Sequence, residues 1–135
     1  MTYLFDTNIC IYLINNKYDY LIDRVENLGI EEIAISTISI AELEYGIAKS
    51  KSLYKEENRI ALMEFLLPFK FLPFGQNDAY EYGVLRSILQ AQGNVIGNMD
   101  MLIGAQVLSN DLTLVTNNVK EFKRIEGIRL ENWIK

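Results

Sequence analysis

Apolar positions in this chain switch between strand-like runs and helical spacing, and that switching lays out its elements. Tyr3–Phe5, in "TYLF", reads as a short buried strand. Helical spacing then runs from Thr7 to about Asn16, and a second helix is predicted near Tyr18–Leu28. "EEIAIS" places a strand at Ile33–Ser36 after a polar turn. "TISIAELEYGIAKSK" is helical, with Ile40, Leu43 and Ile47 on one stripe. A further amphipathic helix, about Leu53–Leu67, runs through Ile60, Met63 and Leu66 and stops at Pro68. "FKFLPF" is a third strand that ends at Pro73. Asp78–Gln92 is a helix closed by Gly93. Another opens at Asn98 or Met99 and runs to about Ser109. "LTLVT" is a buried strand, a short helix covers Val119–Lys123, and a last strand lies at Ile128–Leu130. Strands alternating with helices predict one α/β sandwich over residues 1–135, around a mostly parallel sheet.

Length and composition agree with this. A chain of 135 residues buries enough surface to fold without disulfides or a structural metal. Cys10 has no partner for an internal bridge, so it reads as a packing residue of the first helix in a reduced, cytoplasmic setting. The N-terminus carries no basic region or cleavage site of a signal peptide. No apolar run approaches the ~18 residues of a membrane span. The chain holds no histidine at all. That excludes Ser-His-Asp and Cys-His nucleophiles, His-ligated zinc and imidazole acid–base chemistry. Catalysis would have to rest on carboxylates, lysine, tyrosine, hydroxyls or a hard metal.

The net charge is −5, which argues against a protein that coats nucleic acid. It suits a pocket that gathers carboxylates around a divalent cation. Two basic groups interrupt the acidity: Lys49, Lys51, Lys55 and Arg59, and then Lys120, Lys123, Arg124 and Arg129. They read either as solvated helical faces or as phosphate contacts.

Ligands of parallel α/β sheets bind beyond the carboxyl ends of the strands. Asp6 and Asn8 follow one strand, and Thr116 and Asn117 follow another. Asp100 and Glu42 fall in the first turns of two predicted helices. Glu44, about 200° around the helix from Glu42, points elsewhere. Each position also has an ordinary structural role. Asp6 serves as a helix cap. Glu42 forms a capping box with Ser39 if the helix starts there. Asp100 complements a helix dipole, and Asn117 fits a turn. What favours function is their convergence on one sheet edge. Clustered carboxylates repel, and hard Mg²⁺ or Mn²⁺ removes that penalty while activating water.

Taken together, "FDTNICIYLI", "ISTISIAELEYGIAKS", "VIGNMDMLIGAQVLSNDLTLVTNNVKEFKRI" and "GIRLENW" resemble the PIN domain, and within it the VapC-type ribonuclease toxins of toxin–antitoxin pairs. The resemblance spans nearly the whole chain. It implies a PIN-like three-layer sandwich with a parallel sheet of about five strands. It implies a Mg²⁺- or Mn²⁺-dependent endoribonuclease that leaves a 5′-phosphate and a 3′-hydroxyl. Asp6, Glu42 and Asp100 fall on the family's acidic metal positions. Asn117 falls where many members carry a fourth acid, and Glu121 is a lesser candidate. Thr7, Asn8, Ser39 and Thr116 then hold the carboxylates. A tRNA loop is the expected substrate, a small VapB-like antitoxin the expected inhibitor, and a homodimer the expected assembly.

The chain departs from the family at Gly97-Asn98, where Gly-Pro is common, at Gly104 within "LIGA", and at Asn110-Asp111 in place of a glycine turn. None of these replaces an acid. Two other readings compete. One is a catalytically silent PIN fold that only binds RNA or protein. The other is an aspartyl-nucleophile phosphatase, which wants a second acid two residues after the first, where this chain has Asn8.

Overall fold

A computed structural model describes residues 1–135. Its five short strands form one sheet in the order β3-β2-β1-β4-β5, and every pairing is parallel. The strands are β1 (Tyr3–Phe5), β2 (Ile33–Ser36), β3 (Lys70–Leu72), β4 (Thr113–Val115) and β5 (Arg129–Glu131). The helices are α1 (Thr7–Ile14), α2 (Asp19–Leu28), α3 (Thr37–Ala48), α4 (Ser52–Leu66), α5 (Gln76–Gln92), α6 (Asn98–Ser109) and the single turn α7 (Val119–Phe122). The expected α/β sandwich is present, with a sheet that is wholly rather than mostly parallel.

Side chains alternate across each strand, and both faces are apolar. Leu4, Ala34 and Leu114 face a core built with Leu85 and Leu89 of α5 and with Met101, Ile103 and Ala105 of α6. Phe5, Ile33, Ile35 and Val115 face the other way, onto Ile9, Cys10, Leu21, Leu43 and Leu62 of α1 to α4. Trp133 closes that second core, edge-on to Tyr3 and Phe5 at 5.2 and 5.5 Å.

The chain leaves β1 toward β2 and returns on its other side as β4, so strand order reverses at β1. The register pairs Phe5 with both Ile35 and Val115. Asp6, Ser36 and Thr116, one residue beyond each, therefore emerge at one level of the sheet. Such a reversal opens a crevice where ligands bind.

Several boundaries differ from the sequence expectation. Helix α1 ends at Ile14, and Asn16 adopts a left-handed φ of 51°. Helix α3 starts at Thr37 under a Ser36 cap, whose Oγ accepts from Ile38 N at 3.0 Å. Ser39 thus lies inside the first turn, and the Ser39–Glu42 capping box does not form. Helix α5 starts earlier than Asp78, at Gln76. Asp78 is buried, accepts from Gly75 N at 2.7 Å and takes a second bond from Asn110 Nδ2 at 3.0 Å. Strand β5 starts one residue later than expected, at Arg129.

Gln106 is a buried polar residue on an otherwise apolar face of α6. It is fully buried, its Oε1 accepts from the Ser36 hydroxyl, and its Nε2 donates to the Leu72 carbonyl at 3.1 Å. One amide thereby ties α6 to the cap of α3 and to the end of β3. Gln106→Leu keeps the volume but leaves the buried Ser36 hydroxyl without its acceptor and removes one donor from the part-buried Leu72 carbonyl. It should cost about 2 kcal/mol, read as a lower urea midpoint with an unchanged m-value.

Candidate active site

Asp6 stands at the exit of β1 and caps α1. Its Oδ1 accepts from Thr7 N at 2.8 Å, its Oδ2 accepts from the Thr116 hydroxyl at 2.8 Å, and it is only 4% exposed. A chain of bonds continues behind it, since Asn118 N donates to Thr116 Oγ1 at 2.9 Å. Burial pushes the Asp6 carboxyl above the usual range. The Thr116 and Thr7 bonds pull it back, and the Glu42 charge adds to the rise.

Glu42 reaches the same place from the second turn of α3. Its Oε1 accepts from the Thr7 hydroxyl at 2.6 Å, and a hydroxyl–hydroxyl bond of 3.0 Å joins Thr7 to buried Ser39. One threonine therefore serves both acids, through its backbone N–H for Asp6 and its hydroxyl for Glu42. Glu44 points away and pairs with Arg59 at 3.0 Å.

Asp100 enters from the first turn of α6. Its carboxyl is pushed up to about 6 by burial first, then by the charges of Asp6, Glu121 and Glu42, and by a hydrogen bond shared with Glu121. Glu121 comes from α7 and accepts from Asn118 Nδ2 at 3.2 Å. Four carboxylates, from the cap of α1 and from α3, α6 and α7, thus share one electrostatic neighbourhood.

Asp6, Glu42 and Asp100 line a cleft of about 670 Å³, together with Thr7, Asn8 and Asn118. The structure places Asn117 elsewhere. It is exposed, and its Oδ1 accepts from Asn132 Nδ2 at 3.4 Å. The reason is alternation beyond β4: Thr116 faces Asp6, Asn117 faces out, and Asn118 turns back in. Of the two asparagines in "TNN", Asn118 rather than the expected Asn117 lines the cleft. Lys49, one of the basic positions read as solvated faces or phosphate contacts, also lines the cleft, together with Tyr45 and Met99.

No basic side chain neutralises these acids. The three ion pairs of the molecule, Arg24–Glu131, Arg59–Glu44 and Arg129–Asp111, all lie away from the cleft. No group of three acidic side chains is drawn together tightly enough to make a finished ligand cage, as like charges without a counter-ion would dictate. An unneutralised all-oxygen donor set fits a hard divalent cation such as Mg²⁺ or Mn²⁺ better than a soft one.

The chain is similar to known proteins over its whole length. The family model for the PIN domain matches residues 3–128. Ribonuclease VapC2 of Rickettsia felis is 46% identical over 136 residues, covering 100% of both chains. The tRNA(fMet)-specific endonuclease VapC of Salmonella typhimurium is 36% identical over 133 residues, 98% of each chain. Among solved structures, VapBC2 from Rickettsia felis bound to a DNA fragment from its promoter matches with a TM-score of 0.91 and 44% identity, over 99% of this chain and 100% of that one. DNA-bound VapBC from Salmonella typhimurium matches with a TM-score of 0.93 and 36% identity, over 99% of each chain.

The raised Asp100 carboxyl makes stability depend on pH. Its folded value of about 6 lies above the ordinary 3.8, so the folded state holds the proton more tightly. The cost of the charge is absent below about pH 4, grows between pH 4 and 6, and is constant above. Asp100→Asn should therefore stabilise the cation-free protein at pH 7 to 8 by about 1 kcal/mol, a value reduced by solvent screening of the half-exposed site. The gain should vanish near pH 4 in thermal melts.

Proposed function

The chain belongs to the PIN-domain family, among its VapC ribonucleases, and on that premise we propose that the acid-lined cleft hydrolyses RNA phosphodiester bonds with Mg²⁺ or Mn²⁺. The observation that carries this is the set of Asp6, Glu42 and Asp100, gathered without a single basic partner in a chain lacking histidine.

Asp6 and Asp100 would hold the cation, and Glu42 would complete the set. A bound divalent cation would supply positive charge against the phosphate and make a nearby water more acidic. The protein's own groups do the rest. Thr7 and Thr116 fix Asp6 so that no reorganisation is needed when substrate arrives. The Thr7 hydroxyl aims Glu42, which takes up the proton of the attacking water. Asn118 is bonded to Thr116 and Glu121 and lines the cleft.

The Salmonella relative is named for tRNA(fMet), and a tRNA loop is the substrate we assign here. The matching structures are VapBC complexes, and a VapB-like antitoxin is the partner we assign. A silent binding module has no need for uncompensated carboxylates that lower the stability of the fold.

Total RNA incubated with the protein and Mn²⁺ should gain new 5′ ends that sequencing locates, and excess EDTA should abolish them. Asp6→Asn and Asp100→Asn should each lower kcat by about 100-fold or more. Cleavage that persists in EDTA, or in either variant, overturns the assignment. Mn²⁺ should raise the thermal midpoint of the wild type at pH 7.5. That rise should shrink as pH falls through about 6, where Asp100 takes up its proton.

A further inference from the structure

One wall of the cleft is neither acidic nor needed to hold a cation. Tyr45 follows Glu42 by three residues on α3, and Lys49 follows Tyr45 by four, so the helical repeat sets all three along one side. Each lines the cleft that Asp6 and Asp100 also line. The Tyr45 ring is 66% exposed. The Lys49 ammonium stands over one face of it, 5.1 Å from the centroid. Lys49 is the single basic residue among those lining the cleft, and it belongs to none of the three ion pairs. Gly46, between them, lines the cleft as well, and a Cβ there would meet nothing within 4 Å. A glycine within a helix is unfavourable, and no internal packing requires this one. The result is a flat, open surface beside an exposed ring and an unpaired cation.

We infer that Tyr45 and Lys49 form a nucleotide subsite, in which the ring stacks an unpaired base next to the scissile phosphodiester and the ammonium takes the adjoining phosphate. This rests on the ribonuclease reading of the same cleft. The acids that hold the cation repel the rest of an RNA backbone, and Lys49 supplies the one compensating contact on that wall. An aromatic face accepts any base, but only a base lifted out of a helical stack can offer its own face. The subsite therefore selects single-stranded loops over duplex and is indifferent to which base occupies it. Fine sequence preference must come from elsewhere on the surface.

The test uses a single-stranded RNA carrying 2-aminopurine, alone and annealed to its complement. It is titrated in Ca²⁺ against the wild type, Tyr45→Phe, Tyr45→Ala and Lys49→Gln, and cleavage is followed separately in Mn²⁺. Wild type and Tyr45→Phe should quench the fluorescence of the single strand. Tyr45→Ala should raise Kd and KM by about 5- to 150-fold, the range that base–aromatic stacking carries. Its kcat should stay within about threefold of the wild type, because the lost contact is made equally in the ground and transition states. Lys49→Gln should lower the slope of log Kd against log salt by about 0.7, one phosphate contact on a single strand. The annealed probe should bind all four proteins alike. Cleavage by the wild type with unchanged KM and Kd in Tyr45→Ala overturns the subsite and leaves the ribonuclease standing. An uncut substrate in Mn²⁺, with quenching that still depends on Tyr45, overturns the hydrolytic reading and leaves the subsite standing.

Discussion

A carboxylate that is nearly buried at the exit of the central strand is the constraint on which this molecule is organised. Asp6 is 4% exposed and depends on two donors, Thr7 N–H and the Thr116 hydroxyl. An ionised group that deep is tolerated only if its oxygens are bonded. The first donor exists because α1 begins immediately after β1. The second exists because β4 lies beside β1 in a register that brings Thr116 level with Asp6. Helix start, strand order and register thus meet in one side chain. The same order reversal opens the crevice in which Glu42 and Asp100 arrive from α3 and α6.

Much of this was legible in the sequence because the decisive signals are local. "FDTN" is an apolar run ending in a cap residue, and "LTLVT" is a buried strand ending in a hydroxyl. Helical phase alone separated Glu42 from Glu44, which pairs outward with Arg59. What stayed hidden depends on partners far along the chain. Gln106 sits in an apolar stretch and gives no sign that Ser36 and Leu72, 70 and 34 residues away along the chain, will satisfy its amide. The choice between Asn117 and Asn118 turns on where β4 stops, and element ends are the part of a periodic pattern least well defined. The Ser39 cap failed for a similar reason: Ser36 is the last residue of β2 and caps α3 directly, with no loop between them.

The site costs stability in a way that its surroundings offset. Asp6 and Asp100 are both held above the ordinary carboxylate range, with burial as the leading cause and neighbouring acids adding to it. Like charges brought together in a partly dry cleft oppose folding. The compensation lies in the two apolar layers, where Phe5, Leu4, Ile35 and Leu114 are fully buried directly beneath the polar ends of their strands. The Gln106 amide then locks α6 to α3 from below, so the helices that carry Asp100 and Glu42 cannot drift apart to relieve the repulsion. A soft scaffold would let the acids separate.

The absence of histidine sharpens this logic. With no imidazole in the chain, the proposed proton transfer and cation binding would both fall to carboxylates, whose environments differ. Asp6 is the most buried of them and the best bonded, which suits a fixed ligand. Asp100 is pushed toward neutrality by burial and by the charges of Asp6, Glu121 and Glu42, so under the proposed function its protonation state would set the pH at which a cation enters. Cys10 lies one turn of α1 beyond Asp6, and it shows what the same environment does to a thiol. Complete burial, and then the Asp6 charge, drive its ionisation far above the ordinary range. A thiol held that way is a poor nucleophile and a poor ligand. Cys10 is therefore a packing residue of the apolar core, and the acids of the cleft present only oxygen.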